Sequence, residues 1–282
     1  KLSSAQVLIS LPKVNSEFQD YLFSQSLKGI KFTIEELGGE LLGGHTFETR
    51  NFVAKPYEFG MDISLSVQGI IKNGKKPWKK NGLKSGDILL LSRPLGVGII
   101  FAAQMQNINL FNSTNLVYKS LRTSQQFLLD QIYQLQDNLG ENIINAATDI
   151  TGFGFIGHLK EMVKSSNLQR KSHNLNEIKA VLNLMSFNTY PNVMELIRKG
   201  VKSTLFDGNK KIYDEIIEKE FAQREIIFDL EEDLSTGKIS DKIELLLDPQ
   251  TCGPLLISCK PKYEKYFKNN WYKVGRICDK DI

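Results

Sequence analysis

The chain predicts an α+β fold, because short apolar segments typical of strands alternate with longer segments in which apolar residues recur at helical spacing. Residues 5–11 and 88–91 are short apolar runs, as in buried strands. Residues 120–139 repeat apolar side chains at every third or fourth position, as helices do. With 282 residues, 41% of them hydrophobic, the chain is long enough for one large or two medium-sized domains.

The first part of the chain predicts a strand, one or two helices and a second strand. The first strand covers residues 5–11. Helical spacing then extends over residues 16–42, with the pair Gly38 and Gly39 closing the pattern. Residues 63–71 alternate apolar and polar side chains, which predicts a half-exposed strand.

A polar, basic and glycine-bearing stretch at residues 72–87 predicts a domain boundary. We therefore expect a first domain at residues 1–84 and a second at residues 85–282. The elements predicted for the second domain are strand 88–91, a helix ending near 106, helix 120–139, a short strand ending at Asp149, helix 154–165, strand 243–247 and strand 255–258.

Composition excludes several classes of function. The 36 basic residues exceed the 32 acidic ones by only four, and they are spread along the chain, so neither nucleic acid nor a membrane surface is indicated as a partner. Three cysteines without a C-x-x-C pair favour neither a disulfide framework nor a zinc site. No apolar run reaches the ~20 residues that span a bilayer. These features predict a reduced, cytoplasmic setting.

The pair Gly43 and Gly44, followed by His45 and Thr46, is the first candidate ligand site. Adjacent glycines let the backbone approach a ligand closely, and their N–H groups can hold phosphate oxygens. We expect this segment to join a helix to a polar connection. A plain turn is the competing interpretation of a glycine pair.

Asp149 is the second candidate. It ends a strand-like segment immediately before the glycine-bearing start of a helix at Gly152 and Gly154. A carboxylate there is well placed to hold Mg²⁺ against phosphates, and the helix N-terminus favours anions. The alternative is that Asp149 caps the helix.

Three further features favour structural roles. Gly96 and Gly98 lack the third glycine of a dinucleotide-binding loop and predict a tight strand-to-helix turn. The polar turn at residues 248–253 is expected to bond its side chains to its own backbone, and Cys252 has no adjacent base that would make it a nucleophile. His158 is expected to be structural.

Taken together, these segments resemble the selenophosphate synthetase (selenide, water dikinase) family. They occur in the order of that family across nearly all of the chain. The matching runs are residues 42–46, 84–98, 147–158, 203–205 with Asn209, and 248–251.

The resemblance implies two α/β domains of the aminoimidazole ribonucleotide synthetase-like fold, the first of them truncated here. It implies conversion of ATP, selenide and water to selenophosphate, AMP and phosphate by a homodimer that uses Mg²⁺. It assigns ATP contacts to Gly43, Gly44, His45 and Thr46, and a Mg²⁺ ligand to Asp149.

The chain departs from the family pattern in two places. The family's N-terminal segment, with its Cys or selenocysteine, a Lys and further Mg²⁺-binding aspartates, does not occur in this sequence, so we expect weak nucleotide binding and no turnover from these residues alone. Where the family has Ser-Gly-Gly, this chain has Cys252-Gly253-Pro254. Two alternatives follow: another ATP-dependent kinase of the same superfamily, or a catalytically inactive homologue that acts as a dimerising or regulatory module.

Overall fold

The computed structural model describes residues 1–49, 60–71, 75–108, 110–219, 223–229, 238–267 and 270–280. The chain divides into two compact units, Lys1–Pro77 and Trp78–Ile282, and each is described by itself. Within the described ranges, none of the helices combines the length and the apolar character that crossing a bilayer requires.

The first unit is a three-stranded sheet covered on one face by a helix. Its strands β1 (Leu2–Leu11), β2 (Glu40–Glu48) and β3 (Asp62–Gly69) lie in the order β2-β1-β3, with β1 parallel to β2 and antiparallel to β3. Helix α1 (Ser16–Glu36) is capped by Asn15, whose Oδ1 accepts the Phe18 N–H at 2.8 Å. Alternate residues of β1 pack against α1 because successive side chains of a strand point to opposite faces.

The second unit is built on a six-stranded sheet with helices on both faces. The strands lie in the order β5-β8-β4-β9-β6-β7, and only β6 and β7 are parallel. The strands are β4 (Ile88–Leu91), β5 (Ile144–Asp149), β6 (Ile178–Leu182), β7 (Ile226–Phe228), β8 (Leu255–Cys259) and β9 (Tyr272–Asp279). The helices are α2 (Val97–Met105), α3 (Phe111–Arg122), α4 (Gln126–Leu139), α5 (Gly154–Ser172), α6 (Val193–Arg198), α7 (Phe206–Ile217) and α8 (Lys238–Leu247).

Strand β4 shows how the sheet separates two cores. Leu89 and Leu91 face the larger core, which includes side chains of α2, α5, α6 and α8. Ile88 and Leu90 face the smaller core under α4 and the 3₁₀ helix Pro261–Tyr266. The mixed α+β fold predicted from the sequence is confirmed.

Several predicted elements need correction. Residues 16–42 hold one helix that ends at Glu36, because Gly38 adopts a left-handed conformation (φ 70°) and β2 begins at Glu40. Residues 120–139 lie on two helices, α3 and α4, separated at extended Thr123. The predicted strand at 243–247 is wrong, since these residues end helix α8. The elements missed were β2 and most of α3, together with β6, α6, α7, β7 and β9.

Candidate functional site

The first candidate segment, Gly43 to Thr46, lies within strand β2 and not in a connection. Gly44 to Thr46 pair in parallel with Val7 to Ile9 of β1. The register shifts between Ala5 and Gln6, so Leu42 forms a bulge directly before Gly43. The expectation that these glycines follow a helix is therefore wrong, because tertiary pairing with β1 extends them.

Gly43 and Gly44 each require glycine, but for different structural reasons. A Cβ on Gly44 would lie 1.9 Å from the Val7 carbonyl oxygen, so this position requires glycine for packing. Gly43 has φ 144° and open space around a Cβ, so its requirement is conformational. In the sheet of described strands β2 lies at the edge, so the backbone on its outer side is free of a neighbouring strand. The assignment of Gly43, Gly44, His45 and Thr46 to ATP stays a prediction.

Asp149 is the last residue of β5, and it is exposed. Its neighbours in sequence, Thr148 and Ile150, are both buried. The N-cap residue of α5 is Phe153, which makes no side-chain capping bond, so Asp149 does not cap this helix. An exposed carboxylate thus precedes the N-terminus of a 19-residue helix, where the helix dipole carries partial positive charge.

The turn from Asp149 to Gly154 is held by main-chain contacts on both sides. The Ile150 N–H donates to the Pro254 carbonyl at 2.9 Å, and the Thr151 carbonyl accepts from Gln250 and Gly154, each at 3.0 Å. Asn209 Nδ2 donates to the Gly152 carbonyl at 2.9 Å. The turn that carries the candidate carboxylate is therefore fixed.

The polar turn at 248–251 caps helix α2. Gln250 Oε1 accepts the N–H groups of Gly96 and Val97 at 3.1 and 3.2 Å, and Asp248 Oδ2 accepts that of Ile99 at 3.2 Å. The Gly98 N–H donates to the Pro249 carbonyl at 3.1 Å. The first N–H groups of α2, which helix geometry leaves without partners, are thus all satisfied.

This cap explains residues that the sequence did not interpret fully. The turn does bond its own backbone, since Gln250 Nε2 donates to the Asp248 carbonyl at 2.9 Å, but its main role is across the fold. Burial raises the pKa of Asp248 to about 7. Asp, Gln and Pro side by side between a helix and a strand are the signal that could have indicated a capping turn.

The departure at Cys252-Gly253-Pro254 leaves the turn in place. Cys252 is exposed with φ 45°, and its carbonyl accepts from Arg93 Nη1 at 2.9 Å. A Cβ on Gly253 would lie 1.7 Å from the Ile150 carbonyl oxygen, so the close approach at this glycine is kept. The carbonyl of Pro254 accepts the Ile150 N–H, so the missing N–H of proline does not affect this contact.

The exposed carboxylate of Asp149 has the chemistry of a Mg²⁺ ligand that would act beside phosphate oxygens. Mg²⁺ retains several waters and takes one or two carboxylates together with phosphate oxygens. In the part of the chain that the structure describes, no group of three or more His, Cys, Asp or Glu side chains could hold a metal ion without such phosphates. A protein-only metal cage is therefore not formed by the described residues.

The class of protein follows from sequence and fold together. Residues 84–281 match the family described as AIR synthase related protein, C-terminal domain. The chain belongs to this family.

Within this class the chain is similar to selenide, water dikinases, which confirms the resemblance drawn from its motifs. It is 28% identical to selenide, water dikinase of Caldanaerobacter subterraneus subsp. tengcongensis over 92% of the chain and 65% of that protein. Against the enzyme of Colwellia psychrerythraea it is 29% identical over 86% of the chain and 58% of that protein. The chain thus spans less than two thirds of these relatives' length.

Solved structures show the same fold. E. coli HypE, a hydrogenase maturation protein, matches with a TM-score of 0.61 at 13% identity, over 99% of this chain and 68% of that one. Thiamine-monophosphate kinase from Stenotrophomonas maltophilia K279a matches with a TM-score of 0.59 at 14% identity, over 99% of this chain and 70% of that one. At such identities the likeness concerns the fold alone.

Proposed function

We propose that this chain is part of a selenophosphate synthetase, which converts ATP, selenide and water to selenophosphate, AMP and phosphate. The observation that carries the proposal is the exposed carboxylate of Asp149 at the end of β5, in a chain similar to selenide, water dikinases over most of its length. The alternative, another ATP-dependent kinase of the same superfamily, is supported only by the shared fold.

In this proposal Asp149 is one ligand of the Mg²⁺ that accompanies ATP. Bound Mg²⁺ would neutralise phosphate charge and polarise a phosphoryl oxygen. The dipole at the N-terminus of α5 adds to the attraction for phosphate next to Asp149. The buried neighbours Thr148 and Ile150 fix the backbone that aims the carboxylate at solvent.

Strand β2 supplies the second part of the proposal. The bulge at Leu42 and the positive φ of Gly43 interrupt the regular edge of the sheet, and bulges of this kind are enriched next to active sites. Following the family resemblance, we assign the backbone of Gly43 and Gly44, the His45 ring and the Thr46 hydroxyl to nucleotide contacts of the first unit, as a prediction separate from that for Asp149.

The test is calorimetric titration of the chain with Mg²⁺ and a non-hydrolysable ATP analogue. We expect weak, Mg²⁺-dependent binding that Asp149→Asn abolishes, because the substitution keeps the shape and removes the charge. Glu218→Gln, which removes an exposed carboxylate at the C-terminal end of α7, serves as the matched control and should bind like the unsubstituted chain. Equal binding by Asp149→Asn would rule out this carboxylate as the metal ligand.

The reaction itself is tested in the protein that carries this chain. Selenide-dependent formation of AMP from ATP, followed by ³¹P NMR, supports the synthetase and excludes an inactive homologue. We expect no turnover from the 282 residues alone, because the family's Cys or selenocysteine segment and its further Mg²⁺-binding aspartates do not occur among them. ATP turnover that is independent of selenide and leaves ADP would favour another kinase of the superfamily.

A further inference from the structure

His158 lies beneath the turn that carries Asp149. It sits one helical turn into α5 with only 6% of its surface exposed. Its Nε2 accepts the Thr151 backbone N–H at 3.0 Å and lies 3.1 Å from the Thr151 hydroxyl. The ring of Phe153 packs over the imidazole, with the ring centroids 5.8 Å apart.

Thr151 is therefore held at both ends of its main chain. Its carbonyl accepts from Gln250 and Gly154, and its N–H has His158 as acceptor. Asp149 is two residues earlier, separated by the buried Ile150. Among these contacts the one to His158 is the only one made by a side chain of α5.

The imidazole needs a defined proton position for this contact. Nε2 can accept from a backbone N–H only if the proton of the neutral ring is on Nδ1. Nδ1 is itself buried, and among the described residues it has no hydrogen-bond partner. Burial lowers the pKa of His158, while Asp149, Lys80 and Glu161 are the charged groups that act on it.

A buried donor without a partner is unfavourable, so a purely structural role for this side chain would be better served by an apolar residue. The advantage of a histidine over an apolar residue at this position is the hydrogen bond that its Nε2 accepts from the Thr151 N–H. We propose that His158 is a positioning residue, which fixes the Asp149–Gly154 turn through Nε2 and thereby orients the Asp149 carboxylate towards the metal. The metal part of this inference rests on the proposed function.

The experiment compares three variants of the chain. His158→Gln places an amide oxygen near the position of Nε2 and keeps an acceptor. His158→Leu fills the space without an acceptor. Thr151→Val removes only the hydroxyl that also lies near Nε2, so it separates the side-chain contact from the backbone contact.

The first readout needs neither metal nor activity. In the unsubstituted chain, ¹⁵N NMR should show His158 as the Nδ1–H tautomer. Loss of one hydrogen bond should speed amide exchange of Thr151 on the order of tenfold in His158→Leu, and leave it near the unsubstituted rate in His158→Gln and Thr151→Val. The second readout is Mg²⁺-dependent binding of the ATP analogue, which should weaken about tenfold or more in His158→Leu and recover in His158→Gln, as for other residues that orient metal ligands.

The outcomes separate the two proposals. An Nε2–H tautomer, or a Thr151 amide equally protected in His158→Leu, overturns the role of His158. Binding that His158→Gln does not restore, despite a protected Thr151 amide, also overturns it. An unsubstituted chain that binds no Mg²⁺–nucleotide overturns the proposed site, and the NMR readout then decides the positioning of the turn. If His158→Leu fails to fold, the tautomer in the unsubstituted chain and the His158→Gln variant still decide.

Discussion

At the scale of single residues, the buried carboxyl of Asp248 is expected to make stability depend on pH. Burial raises its pKa to about 7, whereas the pKa of an aspartate in the unfolded chain is about 3.9. The folded chain therefore holds a proton that the unfolded chain has lost between these pH values, so this contribution is complete below pH 4 and is lost as pH rises to about 7. At about 1.4 kcal/mol per pKa unit, the loss amounts to a few kcal/mol.

Asp248→Asn removes this titration and keeps an oxygen for the Ile99 N–H. The difference in unfolding free energy between Asp248→Asn and the unsubstituted chain should rise in favour of the variant from pH 4 to pH 8. Urea unfolding at several pH values measures this difference. The pH dependence that comes from carboxylates present in both chains cancels when the two free energies are subtracted. Parallel curves would contradict the assigned pKa.

Single residues also show how far the sequence predicted the site. Asp149 was placed at a strand end before a helix from its neighbours alone, because the strand, the carboxylate and the glycines are adjacent in sequence. The conformation of Gly43 and Gly44 was not predictable in this way. A glycine pair permits many conformations, and pairing with residues almost 40 positions earlier selected the strand.

At the scale of elements, two glycines with nearly the same positive φ should respond differently to substitution. Gly154 begins α5 with φ 64°, and a Cβ there would lie 2.8 Å from the carbonyl carbon and oxygen of Leu247 in α8. Gly140 ends α4 with φ 65° and open space. Gly140→Ala should cost about 1–2 kcal/mol for the left-handed conformation, and Gly154→Ala about 1–3 kcal/mol more for the forced contact.

Urea unfolding of the two variants, with the slopes compared to confirm the same transition, gives the difference directly. Equal losses would mean that α5 and α8 can separate at this contact without cost. Because Gly154 also bonds Thr151, a larger loss than expected should be accompanied by faster exchange of the amides at 150–154.

Helix α8 shows why periodicity failed where it did. Leu245, Leu246 and Leu247 are all buried, and α5, α6 and α7 pack against this helix. At this end of α8 three successive residues are buried, so the polar side chains are confined to the earlier turns, and a short apolar run cannot be distinguished from a strand by spacing. Strand β4 was predicted correctly because a short run buried on both faces is what a central strand requires.

At the scale of the whole molecule, the first unit leaves apolar side chains of β3 uncovered. Ile63, Leu65 and Val67 are 39%, 44% and 59% exposed. They pair with Ile9, Val7 and Ala5 of β1 and so share the face that α1 covers, but α1 packs mainly on β1 and β2. Exposed apolar rows of this kind are typical of interaction surfaces.

We expect this surface to belong to the homodimer that the family resemblance implies. Leu65→Lys should weaken self-association strongly, because a symmetric interface repeats the substitution and buries an unpaired charge on each side. Ser66→Lys is the matched control, since it is exposed on the opposite face of the same strand and should associate like the unsubstituted chain. Sedimentation equilibrium measures both, and each variant should keep the unfolding transition of the unsubstituted chain. A chain that stays monomeric at high concentration would contradict the homodimer, and a Leu65→Lys variant that still dimerises would place the interface elsewhere.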